Sequence, residues 1–435
     1  MTSIEKYLDE MKGIEADLLA FLEEGEENKE LNFQNLKDNF DKIRIHEDQH
    51  TLMSFLHLLT KIADNHHHDP NFFDKIDQIL QIFQKDIKKY YKNIEIFNIF
   101  KSNKRILLFL IEQKIMIFDK YITKKIVTTE DYIDMKYPQF FKDQIMQFKD
   151  EKWFPKNENN QNKENWIDEI YKDDLPDNYD ENRKIGENES YICKMIRDDN
   201  VIEFIIYVNK NNTSLNSKIQ ASIYETNLFL LKKRLVSNNF RNDYDDVDGV
   251  TLIEYAAFFG SIQIFQYLQM NGVELTQSLW LFVIHGQNPE LIHRLEENHI
   301  EPKIRKNGSR NEVVSYLECY KESMKCHHND ITNYIQNNLL QNEEENERDT
   351  LIQPLEYYNF IFLQKEKIKK FSFIDFCHYG YYPIAKNLLK NIDININEIN
   401  NMSFIAIYGY YLIEGYLKNI YNDINKISNI LFNTI

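Results

Sequence analysis

Apolar residues recur at steps of three and four along the first third of the chain. Within residues 71–91 the positions that follow this step are Phe72, Phe73, Ile76, Ile79, Leu80, Phe83, Ile87 and Tyr90. Such spacing lines one face of an α-helix, and Asn71 just before it is a candidate N-cap. The pattern predicts one amphipathic helix with a single buried face.

The same periodicity extends on both sides of this helix. Residues 94–100 and 105–122 carry it across a polar turn at 101–104, and the upstream segments 6–24 and 51–63 are also amphipathic. A helix, a short turn and a second helix are the pattern that stacked helical hairpins repeat. We therefore predict a helical N-terminal domain over residues 1–150.

Two polar segments interrupt the pattern. Residues 151–190 are acidic with few apolar positions, which predicts a linker or a partly ordered connection, and a second acidic run at 341–350 predicts a loop. The chain has only 11 glycines and 8 prolines in 435 residues, so signals for turns and strands are scarce. The expected fold class is all-α.

A helix-turn-helix unit stands out at residues 248–275. Asp248-Gly249 favours a tight turn, Thr251 can cap a first helix, and Gly260 can end it. Ala256-Ala257 permits close approach of two helices, and Asn271-Gly272 can end the second helix. The residues expected to fill the core between the two helices are Ile264, Phe265 and Leu268.

The unit recurs along the chain. A shift of 27 residues places Ser278 on Thr251, and Asn288-Pro289 then supplies a cap and a first-turn proline for the second helix. A shift of 33 in the other direction places Ile223 on Ala256. Other apolar residues that align are Leu231, Leu235, Val283, Ile284, Leu291, Ile292, Leu295, Ile331, Ile335, Ile384, Leu388, Ile413 and Leu417. Residues 191–435 are therefore predicted to be a repeat domain.

The unit at 248–275 resembles the ankyrin consensus, whose period is 33 residues. The runs ELTQSLWLFVIHGQNPELIHRLEENHIEP and SYLECYKESMKCHHNDITNYI are similar to a family of ankyrin-repeat proteins expanded in parasitic protists, which carry a domain of unknown function labelled DUF3447. The similarity is strongest over about 250–335, and the consensus Thr-Pro-Leu-His is replaced here by Thr251-Leu252-Ile253-Glu254. The resemblance implies an ankyrin-like α-solenoid of degenerate repeats that binds proteins, and it supplies no active site.

An ankyrin-like unit turns certain positions toward its concave groove rather than its core. In this chain those positions are Glu254, Phe258, Phe259, Trp280, Leu281 and His285. Exposed aromatic side chains are typical binding hot spots. We expect a partner protein to bind there.

Charge and cysteine content narrow the function classes. The net charge is −17, from 52 basic and 69 acidic residues, which disfavours direct nucleic-acid binding and a membrane-surface role. The most apolar stretch, 106–111, is too short to cross a bilayer, and the N-terminus carries charged side chains from its fifth residue. Four scattered cysteines, at 193, 319, 326 and 377, fit free thiols in a reducing compartment. We expect a cytoplasmic protein without a membrane anchor.

Three groups of residues have side chains that could bind a metal. His46-Glu47-Asp48-Gln49-His50 matches H-E-x-x-H, which on one helix could bind zinc and activate water. Polar Asp48-Gln49 and the absence of a third ligand in register favour a solvated helix start instead. His66-His67-His68 fits a polar loop, and Cys319 and Cys326, with His327 and His328, fit core and turn positions. No metal, cofactor or catalytic residue is expected.

The sequence thus favours a non-enzymatic scaffold that binds another protein through a helical-repeat surface. One alternative is a zinc-dependent hydrolase built on His46, Glu47 and His50. The other is a structural module that only self-associates.

Overall fold

A computed structural model describes residues 3–23, 25, 28–66, 71–154, 170–171, 175–231, 249–302, 315–340, 347–363, 368, 371 and 373–389. Within these residues the only regular secondary structure is helical, with no strand; Lys218 and Thr251 make an isolated antiparallel bridge. The predicted all-α class is confirmed. None of the described helices is both long and apolar enough to cross a membrane.

The chain divides into two compact units. Unit 1 comprises Met1–Leu58 and Glu347–Ile435, and unit 2 comprises Leu59–Asn346. The helices of unit 1 are α1 (Ser3–Glu23), α2 (Lys29–Ile43), the start of α3 (Gln49–Asn65), α22 (Glu347–Glu356), α23 (Phe373–His378) and α24 (Tyr382–Leu389). Helix α1 packs against α2 and α24. The core of unit 1 includes Leu8, Met11 and Phe21, which are all fully buried.

Unit 2 begins with the end of α3 and a series of short helices. These are α4 (Phe72–Ile82), α5 (Gln84–Tyr90), α6 (Asn93–Phe100), α7 (Lys104–Glu112), α8 (Lys120–Thr128), α9 (Glu130–Asp134), α10 (Tyr137–Phe140), α11 (Lys142–Met146) and α12 (Tyr179–Ile185). The predicted turn at 101–104 is present, and the Asn103 side chain accepts a hydrogen bond from Ile106 N (3.1 Å) to cap α7. The predicted helix after Asn71 is broken at Phe83, which is fully buried.

Four helical pairs follow in unit 2, with the short α15 (Leu228–Leu231) between the first two. The pairs are α13 (Tyr191–Arg197) with α14 (Val201–Lys210), α16 (Leu252–Phe258) with α17 (Ile262–Met270), α18 (Leu279–His285) with α19 (Pro289–Glu297), and α20 (Tyr316–Lys325) with α21 (Asn329–Asn338). The first helices pack on one another in order, α13 on α16, α16 on α18 and α18 on α20. We call this arrangement the four-pair stack.

Each pair of the stack uses the same turn. The residue two positions after the first helix has a left-handed backbone in every pair: Asp199, Gly260, Gln287 and His327, with φ between 45° and 65°. A left-handed residue ends a helix and reverses the chain. A similar residue follows the second helix of the first three pairs, at Asn212, Gly272 and His299. The repeated backbone geometry, rather than the side chains at these positions, defines the unit.

The pair at 249–275 forms as its sequence predicts. Gly260 and Gly272 have φ of 65° and 82°, and Ile264, Phe265 and Leu268 are fully buried. In the next pair Asn288 accepts a hydrogen bond from Glu290 N (3.0 Å), as expected of a cap before Pro289. These local predictions are confirmed.

We expect Thr251→Ala to lower the free energy of unfolding by about 1–2 kcal/mol, because Thr251 and Glu254 form a capping box. The Thr251 backbone N–H and hydroxyl both donate to Glu254 Oε2, each over 2.9 Å. Urea unfolding followed by circular dichroism measures the loss. Thr128→Ala, at the exposed end of α8, is the control and should change stability by less than about 0.5 kcal/mol.

Two sequence predictions about element positions are wrong. Ile223 was expected in a first helix and lies in a segment without helix, and Leu231 lies in the four-residue α15. Residues 179–185, which fall within the segment predicted to be a linker or a partly ordered connection, form helix α12, where Tyr179 and Arg183 are buried. Leu235, Ile413, Leu417, His67, His68 and the loop positions 341–346 lie outside the described residues.

Candidate functional site

Three potential metal ligands from two neighbouring pairs meet in the interior of unit 2. His285 is the last residue of α18, and Glu322 and Cys326 lie four residues apart at the end of α20. Residues four apart on a helix share one face. Because α18 packs on α20, that face meets His285. We call His285, Glu322 and Cys326 the buried triad.

The triad is compact. His285 Nε2 lies 2.7 Å from Glu322 Oε1, and Cys326 Sγ lies 3.7 Å from the same nitrogen and 3.4 Å from Nδ1. The three ligand atoms are all within 4.8 Å of one another. His285 and Cys326 are fully buried, whereas the Glu322 side chain keeps 16% exposure. Lys325 Nζ donates to Glu322 Oε1 over 2.9 Å from the outer side.

Electrostatics assign a protonation state to each group. Burial lowers the pKa of His285 despite its hydrogen bond to Glu322, so the imidazole is neutral at pH 7. Burial alone would raise the pKa of Glu322, but Lys325 and His285 outweigh it and lower that pKa to about 2. Burial and the Glu322 charge raise the pKa of the Cys326 thiol. The triad thus holds one carboxylate, one neutral imidazole and one thiol.

Aromatic rings and backbone atoms fix the triad in place. The ring centroids of Phe229 and Phe258 lie 4.4 and 4.8 Å from that of His285. The backbone of Asn65 also hydrogen-bonds the His285 ring. His66 Nδ1 lies 2.8 Å from the Cys326 carbonyl oxygen and is expected to donate to it. The surroundings are therefore largely aromatic and tightly packed.

The residues predicted to face a binding groove lie mostly in the core. Glu254, Phe258, Trp280, Leu281 and His285 are between 0 and 6% exposed, and Phe259 is half-buried. The expectation that Phe258 and Trp280 are exposed is wrong, because neighbouring pairs and α15 cover them.

Five of these six side chains have a named partner within the chain. Glu254 caps α16 and accepts from the Ser278 hydroxyl of the next pair (2.9 Å). Trp280 Nε1 donates to the Ile300 carbonyl (2.5 Å), and Phe259 lies 5.9 Å from the Arg197 guanidinium. Phe258 stacks on His285, as described above. The positions that the resemblance to ankyrin repeats assigned to a concave groove are therefore packed against other parts of the chain.

The H-E-x-x-H residues do not share a helix. His46 and Glu47 belong to a 3₁₀ turn, and α3 begins only at Gln49. Asp48, with an extended backbone, accepts hydrogen bonds from His50 N (3.1 Å) and Thr51 Oγ1 (2.8 Å), so it acts as the cap of α3. The one-face arrangement that zinc hydrolysis requires is missing. Exposed Glu47 instead pairs with Arg44 (2.9 Å).

The other candidate metal ligands lie only partly where the sequence predicts. Cys319 and Cys326 are fully buried free thiols, and His327 takes the left-handed turn position that aligns with Gly260. His66 is buried rather than part of a polar loop. Sequence reasoning missed Glu322; its spacing of four from Cys326 was available as a signal, but nothing local linked either residue to His285.

Comparison of the chain with protein-family models, with curated proteins and with solved structures finds no match in any of the three.

Proposed function

We propose that the chain is an ankyrin-like scaffold that binds another protein through the outer face of its first helical pair, with no catalytic role. The similarity of residues 250–335 to ankyrin-repeat sequences supports the ankyrin-like assignment. The four-pair stack with its repeated left-handed turn supports it further, since units that contact mainly their neighbours are the mark of a solenoid.

The observation that carries the proposal is an apolar ridge on α14. Ile202 and Ile206, one helical turn apart, are 72% and 61% exposed. Phe204 and Val208 occupy the opposite face of α14 and are buried, with Phe204 packed on Tyr267 of α17 (6.1 Å). Tyr191, 49% exposed, extends the ridge through its contact with Tyr207 (5.6 Å).

The position of the ridge makes it unusual. Helix α14 belongs to the first pair of the stack, and the end unit of a solenoid normally presents polar side chains to water. A cluster of exposed isoleucine and tyrosine side chains at such a position marks an interaction surface. The net charge of −17 favours a partner whose apolar contact area is bordered by basic residues.

We expect Ile202→Lys/Ile206→Lys to weaken binding of the specific partner at least about tenfold, because two charges would be desolvated in an apolar contact. Affinity capture from native lysate with quantitative mass spectrometry identifies proteins that depend on the ridge, and titration with the purified partner gives the affinity. Ile117→Lys, equally exposed at 70% but outside the stack, is the control. Equal capture by all three forms would contradict the proposal.

The two alternatives give different outcomes. If the ridge joins copies of this chain, the molar mass measured by light scattering should rise with concentration in the wild type. In Ile202→Lys/Ile206→Lys it should remain that of a monomer. A zinc hydrolase on His46, Glu47 and His50 would need α3 to extend through His46, which Asp48 prevents by capping that helix. We therefore rank binding of another protein first.

A further inference from the structure

We propose that His285, Glu322 and Cys326 form a binding site for a divalent cation of the zinc class, separate from the protein-binding ridge. The site would tie the third pair of the stack to the fourth. Neither the repeat pattern nor the proposed scaffold function requires it.

The donor set fits this class of metal. An imidazole nitrogen, a thiolate sulfur and a carboxylate oxygen are ligands that zinc accepts together, and sulfur disfavours magnesium and calcium. Glu322 and Cys326 approach from one helical turn of α20, and His285 comes from the end of α18. Three protein ligands leave a fourth position for water in a tetrahedral site.

The ligand atoms lie close enough together to reach one cation after small side-chain movements. Bond lengths of zinc to nitrogen and sulfur imply a nitrogen–sulfur separation of about 3.6 Å. Cys326 Sγ lies 3.7 Å from His285 Nε2 but 3.4 Å from Nδ1, so the sulfur lies beside the imidazole ring and must swing toward Glu322 to share a cation with Nε2. The 2.7 Å between His285 Nε2 and Glu322 Oε1 must open by about 0.7 Å, because a cation would take the place of the hydrogen-bonded proton, which would move to Nδ1.

The atoms around the triad provide the support that a metal-binding histidine needs. With Nε2 bound to a cation, the imidazole proton would lie on Nδ1, which could then donate to the backbone of Asn65. A metal-bound histidine almost always donates its second N–H in this way. The hydrogen bond from His66 to the Cys326 carbonyl holds the turn that carries the sulfur. Phe229 and Phe258 keep the His285 ring from rotating.

Charge and access are also compatible with a cation. Binding would release the Cys326 thiol proton, while the one proton of the neutral imidazole would move to Nδ1, leaving a carboxylate and a thiolate against the two positive charges of the metal. Lys325, 24% exposed, can turn from Glu322 toward solvent. The exposed edge of Glu322 gives the cation an entry path.

Cobalt(II) is the probe that tests the site, because a thiolate ligand to cobalt produces an intense near-ultraviolet charge-transfer band. The metal-stripped full-length chain, kept reduced with a phosphine, should bind one equivalent of Co²⁺ with this band, and Zn²⁺ should displace it. The band should persist in Cys193→Ser/Cys319→Ser/Cys377→Ser, where Cys326 is the one remaining cysteine. Cys326→Ser should abolish it, and His285→Gln should weaken binding at least about 100-fold.

Other outcomes overturn the proposal. Co²⁺ binding without the band, in the wild type or in the triple variant, would place the metal elsewhere, for example on His66-His67-His68. The absence of stoichiometric binding would also refute the site. Because the wild type and the triple variant suffice for this decision, the test stands even if Cys326→Ser fails to fold.

Discussion

Gly286→Ala should lower the free energy of unfolding by about 3 kcal/mol, the largest effect we expect of a single added methyl group. A Cβ at Gly286 would lie 2.2 Å from the Ala257 carbonyl oxygen and 3.0 Å from Gly260 N. All the atoms in these contacts are backbone, so none can move aside by changing rotamer. The backbone of Gly286 has φ of −69°, which any residue adopts, so the contact alone demands glycine.

Two other glycines separate this contact from effects of backbone conformation. Gly272 has φ of 82° with open space around it, so Gly272→Ala should cost about 1 kcal/mol through its left-handed backbone alone. Gly25→Ala meets neither constraint and should be nearly neutral. Urea unfolding of the four proteins gives the order. A loss in Gly286→Ala no greater than that in Gly272→Ala would show that the second and third pairs do not approach this closely.

Helix caps and turns, which depend only on residues close in sequence, were predictable from the sequence. Thr251 with Glu254, Asn288 before Pro289, and the glycines at 260 and 272 each act within a few residues of their own position. Caps and left-handed turns depend on one or two side chains and the adjoining backbone. The close approach at Ala256-Ala257 was also foreseen, although its partner Gly286 was not.

Side chains that compete with helical hydrogen bonds explain the failures. Ile223 matched the repeat by spacing, yet Ser222 accepts from Tyr224 N and Asn227 accepts from Phe229 N, both over 2.9 Å. These local bonds hold the segment in a non-helical path. The true first pair turns at Asp199, 61 residues before Gly260, because residues 211–248 intervene. In the same way, Asp48 caps α3 and removes His46 from its helix.

The candidate site could not be assembled from the sequence, because its members depend on tertiary packing. His285 is separated from Glu322 by 37 residues and from Cys326 by 41. Their meeting depends on the order of pairs, on α15 covering Phe258 and His285, and on the residues that follow α3. A periodic pattern says which face of a helix is buried, but it does not say which polar residues on two such faces will meet.

We expect Lys104→Met to remove most of the rise in stability that the wild type shows between pH 7 and pH 9. Lys104 is 1% exposed, and its Nζ donates to the carbonyl oxygens of Met135 (3.1 Å) and Ile223 (2.7 Å). Burial lowers the pKa of Lys104 from 10.5 to about 7, although the Glu225 charge opposes the shift. The folded chain therefore loses this proton at a lower pH than the unfolded chain does.

Proton linkage determines whether stability rises or falls with pH. Between pH 7 and 10.5 the unfolded state binds more protons at Lys104 than the folded state, so stability rises with pH. Integrated from pH 7 to pH 9, the gain is about 2 kcal/mol. Glu225, whose pKa burial raises from 4.5 to about 7, acts in the opposite direction, losing stability from pH 4.5 upward, and its change is nearly complete at pH 7.

Urea unfolding at pH 7, 8 and 9 measures this slope, and the comparison of slopes is independent of any constant loss from the missing hydrogen bonds. Lys120→Met is the matched control, because Lys120 is 56% exposed and pairs with Glu151 at the surface. It should keep the wild-type slope. If Lys104→Met keeps that slope too, the Lys104 ammonium is not held in the low-dielectric interior, and the contact of α7 with the segment at Ile223 must be looser than 2.7 Å.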